Sequence, residues 1–225
     1  MSDAISAELD KSKKPLDFDE IFKKKKFQLF LKRIFDCFVS FIGLIILLPI
    51  FLAIAIIIKL DSTGPVFYKQ IRVGKNGNTF KIFKFRTMIQ DAEKVGLQIT
   101  VDKDSRITKS GEFLRKTKID ELPQLINVLI GDMSFVGPRP EVPKYVAMYD
   151  CYQKNILRLR PGITDIASIE YKDENIVLAK SDNPEDTYIN DIFPNKIELN
   201  IKYIENLSIN YDIKLILKTI FKIIM

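Results

Sequence analysis

Histidine is absent from all 225 residues of this chain. That absence removes His general acid–base catalysis, Ser–His triads and Cys/His zinc sites. Any proton transfer or nucleophilic step must fall to carboxylates, Lys, Tyr, Ser, Thr or Cys. Cysteine is scarce: Cys37 and Cys151 stand alone without metal-ligand spacing and read as reduced packing residues. Tryptophan is missing as well. No internal repeat and no Ser/Gly linker divides the chain, so one domain is the simplest organisation. Acidic side chains are outnumbered, 29 against 35 Lys and Arg, which gives a formal charge of +6 and a pI near 9.1. A basic excess favours anionic partners: lipid headgroups, nucleotide phosphates or nucleic acid.

Charge of either sign is missing from one long run. Residues 38–58 read FVSFIGLIILLPIFLAIAIII, 21 residues without a charged side chain. About 18 such residues mark a candidate for a membrane span. The run starts too late and is too long for a cleaved signal peptide, and Lys59-Leu60-Asp61 is a poor cleavage site. Pro49 sits mid-run, where it removes one backbone donor and frees the carbonyl of Ile45. Both flanks are basic: Lys23 to Lys26, Lys32 and Arg33 on one side, Lys59, Lys69, Arg72 and Lys75 on the other. By the positive-inside rule both flanks are cytoplasmic. A helix that bends at Leu48-Pro49 and returns to the same face satisfies both features. A kinked span is the alternative.

The remainder alternates short elements. Residues 1–22 are polar and aperiodic, as expected of a flexible tail. VFYKQIRV and TFKIFKFRTM flank GKNGN, and Asn76-Gly77 between two β-rich runs signals a hairpin. A charged loop spans Gln90 to Ser110, then a short helix lies near Glu112–Thr117. At the C-terminus, Lys214, Lys218 and Lys222 recur every four residues, and Ile213, Ile216, Leu217, Ile220, Phe221 and Ile224 fill the other face. A basic amphipathic helix of this kind lies in a headgroup layer or packs on a core with its Lys face in water.

The densest chemistry is in KTKIDELPQLINVLIGDMSFVGPRP, Lys116 to Pro140. Leu122, Leu125, Ile126, Leu129 and Ile130 follow helical spacing, Pro123 fits a first turn and Gly131 a C-terminal stop. Asp120 and Glu121 therefore sit at or just before a helix N-terminus, where the dipole favours ionised carboxylates. Ionised is the form that a nucleophile or metal ligand needs. The plainer reading makes Asp120 an N-cap and Glu121 a first-turn residue. Arg139 is stiffened between Pro138 and Pro140, Arg160 precedes Pro161-Gly162, and Arg86 ends the basic run KIFKFR. Several arginines with one acidic pair suggest phosphate recognition beside a metal-binding carboxylate.

RVGKNGNTFKIFKFRTM, SRITKSGEFLRKTKIDELPQLINVLIGDMSFVGPRPE and RLRPGIT together resemble the bacterial sugar transferase family, over about residues 31–165. These are polyprenol-phosphate phosphoglycosyl transferases of the small monotopic kind. The resemblance implies an α+β, mostly helical domain on the cytoplasmic face of the bacterial inner membrane. Its re-entrant helix breaks at Leu48-Pro49, and a small hairpin and interfacial amphipathic helices complete it. The implied division is a flexible basic segment over 1–30, a re-entrant helix over 31–60 and a catalytic domain over 61–225. The implied reaction moves a sugar-1-phosphate from a UDP-sugar to undecaprenyl phosphate and releases UMP, with Mg²⁺ required. Asp120 is implied as the nucleophile that carries the phosphosugar covalently. Glu121 is implied as metal ligand or orienter of the acceptor, and Asp120 and Glu121 together as the Mg²⁺ site. Lys84, Arg86, Arg115, Arg139 and Arg160 are implied as phosphate ligands.

After Thr164 the chain departs from the family pattern. Many relatives continue Gly-Trp-Ala-Gln, whereas this chain reads DIASIEYKDEN. The departure bears on the sugar, expected to be an N-acetylated or deoxy-amino hexose, with glucose or galactose as the alternative. Two rivals remain: a non-catalytic membrane-surface module, which an intact Asp120-Glu121 pair opposes, and a nucleic-acid binder. The basic flanks of an uncharged run explain the +6 better than nucleic acid does, so lipid is the expected anionic partner. Homo-oligomerisation is left open.

Overall fold

The computed structural model describes residues 16–92, 104–171 and 174–224. Residues 1–15, and most of the charged loop before Ser110, lie outside the described residues. The fold is mostly helical with two small sheets. Helix α1 (Phe18–Lys24) starts at Asp17, whose carboxylate accepts the Glu20 N–H at 3.0 Å. This corrects the expectation of a flexible segment through residue 30. Leu16, Phe18, Ile21 and Phe22 pack on the main core, a short apolar face that the polar composition around it hides.

Helix α2 (Lys26–Asp61) runs 36 residues without interruption across Pro49. The expected break at Leu48-Pro49 is therefore not a break in the helix. Proline deletes a single donor, and packing on both sides of it keeps the axis helical. Leu44, Leu47, Phe51, Ile54 and Ile58 pack against Phe85, Leu114, Ile119 and Leu122. Nearer its start, Arg33 donates to the carbonyls of Val128 (2.6 Å) and Leu129 (2.9 Å). At its end, Asp61 accepts the N–H and hydroxyl of Ser110 at 2.9 and 2.7 Å. One domain thus holds both ends and the middle of a helix about 54 Å long at 1.5 Å per residue. The outer face, from Phe27 through Phe38, Ile45, Leu48 and Leu52 to Leu60, is apolar and exposed.

Strands β1 (Phe67–Val73) and β2 (Thr79–Phe85) form the expected antiparallel hairpin, pairing Phe67 with Phe85 and Val73 with Thr79. The turn takes Asn76 and Gly77 to φ of 58° and 79°, the left-handed region for which these two residue types are suited. Helix α3 (Lys109–Lys116) is capped by Thr108. A 3₁₀ turn over Ile119–Glu121 leads into α4 (Gln124–Ile130), which Gly131 ends with φ 99°.

The buried face of α4 differs from the expected stripe. Gln124, Leu125, Asn127 and Val128 are buried, while Ile130 is exposed. Asn127 lies against β2 and closes its free edge: its side-chain oxygen accepts the Phe83 N–H (2.9 Å) and its amide donates to the Lys81 carbonyl (2.9 Å). A polar residue so placed is invisible to a search for apolar periodicity.

Strand β3 (Ser134–Val136) pairs in parallel with β4 (Gly162–Thr164), a sheet not anticipated from sequence. The close pairing explains two motif glycines: a Cβ on Gly162 would stand 2.2 Å from the Gly137 nitrogen. The other helices are α5 (Pro143–Val146), α6 (Ile166–Glu170), α7 (Glu174–Ala179), α8 (Pro184–Thr187), α9 (Phe193–Glu205) and α10 (Ile209–Ile224), and α10 packs on both strands of this sheet. Their core joins Val136, Tyr145, Tyr149, Tyr188, Phe193 and Ile204. In α10, Leu215 is buried whereas Ile213, Leu217, Ile220 and Phe221 are exposed, so one apolar stripe packs and another faces outward.

A buried ion pair fastens α10 to α2. Lys32 Nζ donates to Asp212 Oδ2 at 2.6 Å, and the Tyr203 hydroxyl donates to Oδ1 at 2.7 Å. Asp212→Ala is expected to cost about 3–5 kcal/mol, because it strands a buried ammonium and a buried hydroxyl. Asp212→Leu combined with Lys32→Met should recover most of that loss. Denaturant unfolding of the detergent-solubilised chain checks both, and equal losses for the single and double variants would contradict the account.

Candidate active site

The Asp120-Glu121 pair is presented by a bend. Lys118 adopts φ 57°, a left-handed conformation that costs a non-glycine residue about 1 kcal/mol or more. That turn ends the run from α3 and drops the next residues into the 3₁₀ turn, against β2. Asp120 is buried at 8% exposure, and its Oδ1 has no hydrogen-bond partner. Beside it, Glu121 Oε1 accepts from two cations, Lys84 Nζ of β2 and an Arg139 guanidinium nitrogen, each at 2.7 Å. Arg139 comes from the Pro138–Pro140 segment after β3. The site therefore gathers the hairpin, the 3₁₀ turn and the β3 loop.

The two carboxylates have opposite electrostatics. Burial pushes the Asp120 carboxyl up, and the neighbouring Glu121 adds to this; Lys84, Arg115 and Lys118 only partly offset it. Burial would push Glu121 up too, but Arg139 and Lys84 outweigh it and hold that carboxyl well below the ordinary range. The expectation that a helix dipole would favour ionised Asp120 is thus corrected: desolvation dominates, and α4 begins three residues after Glu121 at Gln124. Arg139 is held more strongly protonated by Glu121, while burial lowers Lys84 against the pull of Glu121. The result is one fully charged clamp, Lys84–Glu121–Arg139, next to one carboxylate with an oxygen left free.

The other expected phosphate ligands divide. Arg115 of α3 lies close enough for its charge to act on Asp120, and its Nε donates to the Thr87 hydroxyl at 2.8 Å. Arg86 turns away: it is buried, and one terminal nitrogen donates to the Ser62 carbonyl (2.7 Å) and hydroxyl (2.9 Å) in the turn after α2. Arg160 lies at the far end of α4, where its Nε donates to the Gly131 carbonyl at 2.8 Å. Alternation along β2 explains Lys84, but nothing local in the sequence orients Arg86 or Arg160. Leu48 and Pro49 lie exposed on α2 and take no part in the acidic pair.

One supporting residue escaped the sequence reading. Asp165, 2% exposed, accepts the Arg139 backbone N–H on Oδ2 at 2.9 Å and caps α6 by accepting the Ser168 N–H on Oδ1. The signal available was an Asp three residues before Ser168 at a helix start. Asp165→Asn should keep the cap, but it offers one acceptor for two N–H groups. We expect near-normal unfolding stability with turnover lowered about tenfold, and Asp165→Ala to lose both. Steady-state kinetics and thermal unfolding check this, and unchanged turnover in both variants would remove Asp165 from the support of Arg139.

Among the described residues no group of three His, Cys, Asp or Glu side chains stands ready to hold a metal. A hard divalent cation held by one or two carboxylates and completed by substrate phosphates needs no such group. The orphaned Asp120 Oδ1 fits that role, whereas Glu121 already has two cations on one oxygen.

Comparison with known proteins gives the family. Residues 27–225 match the description "Bacterial sugar transferase". The chain belongs to the bacterial sugar transferase family. It is 40% identical over 195 residues to a UDP-N-acetylgalactosamine-undecaprenyl-phosphate N-acetylgalactosaminephosphotransferase of Aeromonas hydrophila, covering 85% of this chain and 43% of that protein. It is 38% identical over 197 residues to the UDP-glucose:undecaprenyl-phosphate glucose-1-phosphate transferase of Escherichia coli (strain K12), covering 85% and 40%. The exopolysaccharide production protein PSS of Rhizobium leguminosarum bv. phaseoli is 39% identical over 199 residues and is covered over 94% of its length. The chain thus spans less than half the length of the first two relatives and nearly all of the third.

Proposed function

We propose that this protein is a UDP-sugar:undecaprenyl-phosphate sugar-1-phosphate transferase that works through a covalent phosphosugar on Asp120. The observation that carries the reading is the buried Asp120 Oδ1 without a partner, beside Glu121 clamped by Lys84 and Arg139. A carboxylate with a free oxygen in a desolvated site is a nucleophile, and flanking cations favour the phosphoryl charge that develops during attack. In the first step Asp120 attacks the phosphorus that bears the sugar. The bond from that phosphorus to the UMP oxygen breaks, and UMP leaves with the electron pair. In the second step an oxygen of undecaprenyl phosphate attacks the same phosphorus, and the Asp120 carboxylate departs. The product is an undecaprenyl-diphosphate sugar. Arg139, Lys84 and Arg115 hold phosphate oxygens, and Glu121 holds Arg139 and Lys84 in place. Mg²⁺, held by Asp120 and the substrate phosphates, would neutralise charge on the leaving group.

The membrane part of the proposal rests on α2. Its outer face is apolar and exposed along its length, yet both its ends are tied to one domain through Arg33 and Asp61. A helix crossing a bilayer core of about 30 Å would carry its ends to opposite sides. We therefore read α2 as embedded from the cytoplasmic face of the inner membrane, with the exposed stripe of α10 and its Lys214 and Lys218 at the headgroups.

The donor is proposed to be a UDP-linked N-acetylated or deoxy-amino hexose, as the name of the Aeromonas relative supports; the Escherichia relative supports UDP-glucose as the alternative. UMP release from a panel of UDP-sugars, with detergent-purified protein, Mg²⁺ and undecaprenyl phosphate, tests the reading. One preferred donor names the sugar. No release with any donor would leave only a membrane-surface module of this fold.

A further inference from the structure

A second cationic site lies at the opposite end of α4 from the acidic pair. A cavity opens between the start of α2, β3 and the segment Arg158–Arg160, and Arg33, Asp36, Lys75, Ser134 and Arg160 are among the residues lining it. Two of its cations also cap α4: Arg33 donates to the carbonyls of Val128 and Leu129, and Arg160 Nε to that of Gly131. Those three bonds leave further N–H donors on both guanidinium forks. Lys32 and Arg158, which also border the cavity, are matched by Asp212 and Asp19. That leaves Arg33, Lys75 and Arg160 facing one carboxylate, Asp36, whose Oδ1 already accepts the Phe135 N–H at 3.2 Å. Helix capping accounts for the two arginines. It does not account for Lys75 beside them, nor for Ser134 Oγ, which is buried at 1% exposure with no hydrogen-bond partner.

A phosphate group answers both: it brings negative charge to three cations and an acceptor oxygen to the buried hydroxyl. The neighbouring surface says which phosphate. Phe27, Phe30, Ile34 and Phe38 on the same stretch of α2 are exposed and apolar. Helical spacing turns them away from Leu29, Arg33 and Asp36 in the cavity, with Phe30 nearest to Arg33, so the membrane reading places lipid beside the cavity, within reach of its cations, rather than in it. A zwitterionic headgroup would bring its own ammonium towards the three cations. We propose that this cavity binds the phosphate of an anionic phospholipid, separately from the reacting phosphates at Asp120. The seven residues of α4, about 10 Å of helix, lie between the two sites. The inference rests on the membrane reading of α2 given above.

The test uses the full chain in nanodiscs, extracted into detergent and weighed by native mass spectrometry. Phosphatidylglycerol and phosphatidylcholine are the probes. The wild type is expected to retain phosphatidylglycerol over phosphatidylcholine, and Lys75→Glu, on an exposed turn, to lower that retention roughly tenfold. Ser134→Ala should lower it less, and Lys109→Glu, at the start of α3, should leave it unchanged. No preference in the wild type, or equal loss with Lys75→Glu and Lys109→Glu, would overturn the site in favour of diffuse attraction. Release of the lipid by millimolar inorganic phosphate would overturn the lipid assignment and leave a site for soluble phosphate. UMP release from the same wild-type samples reports the transferase reading independently: turnover without selective lipid retention defeats only this inference.

Discussion

Asp120→Asn should abolish UMP release, with a loss of about 10⁴-fold or more in turnover. The amide is nearly the same size as the carboxylate and fits the same buried position, so the fold should survive. What it lacks is the anionic oxygen that must bond to phosphorus. Incubating the wild type with a donor labelled at the sugar-bearing phosphate, without acceptor, should label the protein. The label should come off with hydroxylamine, as an acyl phosphate does, and transfer to undecaprenyl phosphate when that is added. The Asn variant should take up none. Labelling of both proteins, or equal UMP release by both, would remove Asp120 as nucleophile and leave a single-step transfer between the two substrates.

Dismantling the clamp should be nearly as damaging. Arg139→Ala is expected to lower turnover about 10²- to 10³-fold, the range for removing one preorganised donor at a developing charge. It also leaves buried Glu121 with Lys84 alone. Lys84→Met should show itself in the pH profile as well as the rate. Asp120 must be ionised to attack, and its carboxyl is raised by burial, so kcat/KM should fall as pH drops through a value above the ordinary 3.8. Lys84 is the largest influence pulling that value back down. Its removal should move the acid limb to higher pH, and a profile with an unmoved limb would contradict the coupling.

The same pair sets opposing stability trends. Glu121, lowered in the fold, contributes stability that is present above its unfolded value near 4.5 and is lost as pH falls through the folded one. Asp120, raised in the fold, carries a cost at neutral pH that is relieved as it protonates. Glu121→Gln should therefore flatten the acid side of the unfolding-stability curve, whereas Asp120→Asn should stabilise the chain at neutral pH. A gain of stability on removing a buried group is the usual mark of a group kept for function.

The sequence by itself determined the features that depend on near neighbours. The long uncharged run of α2, the Asn76-Gly77 hairpin, the Gly131 stop and the position of Asp120-Glu121 just ahead of α4 follow from local dihedral preferences and short-range periodicity. The family resemblance likewise lies in three segments, each continuous in sequence. The tertiary structure alone decided which arginines reach the acidic pair. Arg139 and Arg115 do, while Arg86 and Arg160 turn to the ends of α2 and α4, because a long side chain's direction is set by whatever carbonyl or carboxylate packs near it. It decided that Asn127, not an apolar residue, faces β2, and that Asp165 braces Arg139 from 26 residues away. It also reversed the electrostatic expectation for Asp120. Dipole arguments are local and can be made from sequence, whereas desolvation depends on every segment that closes over a residue.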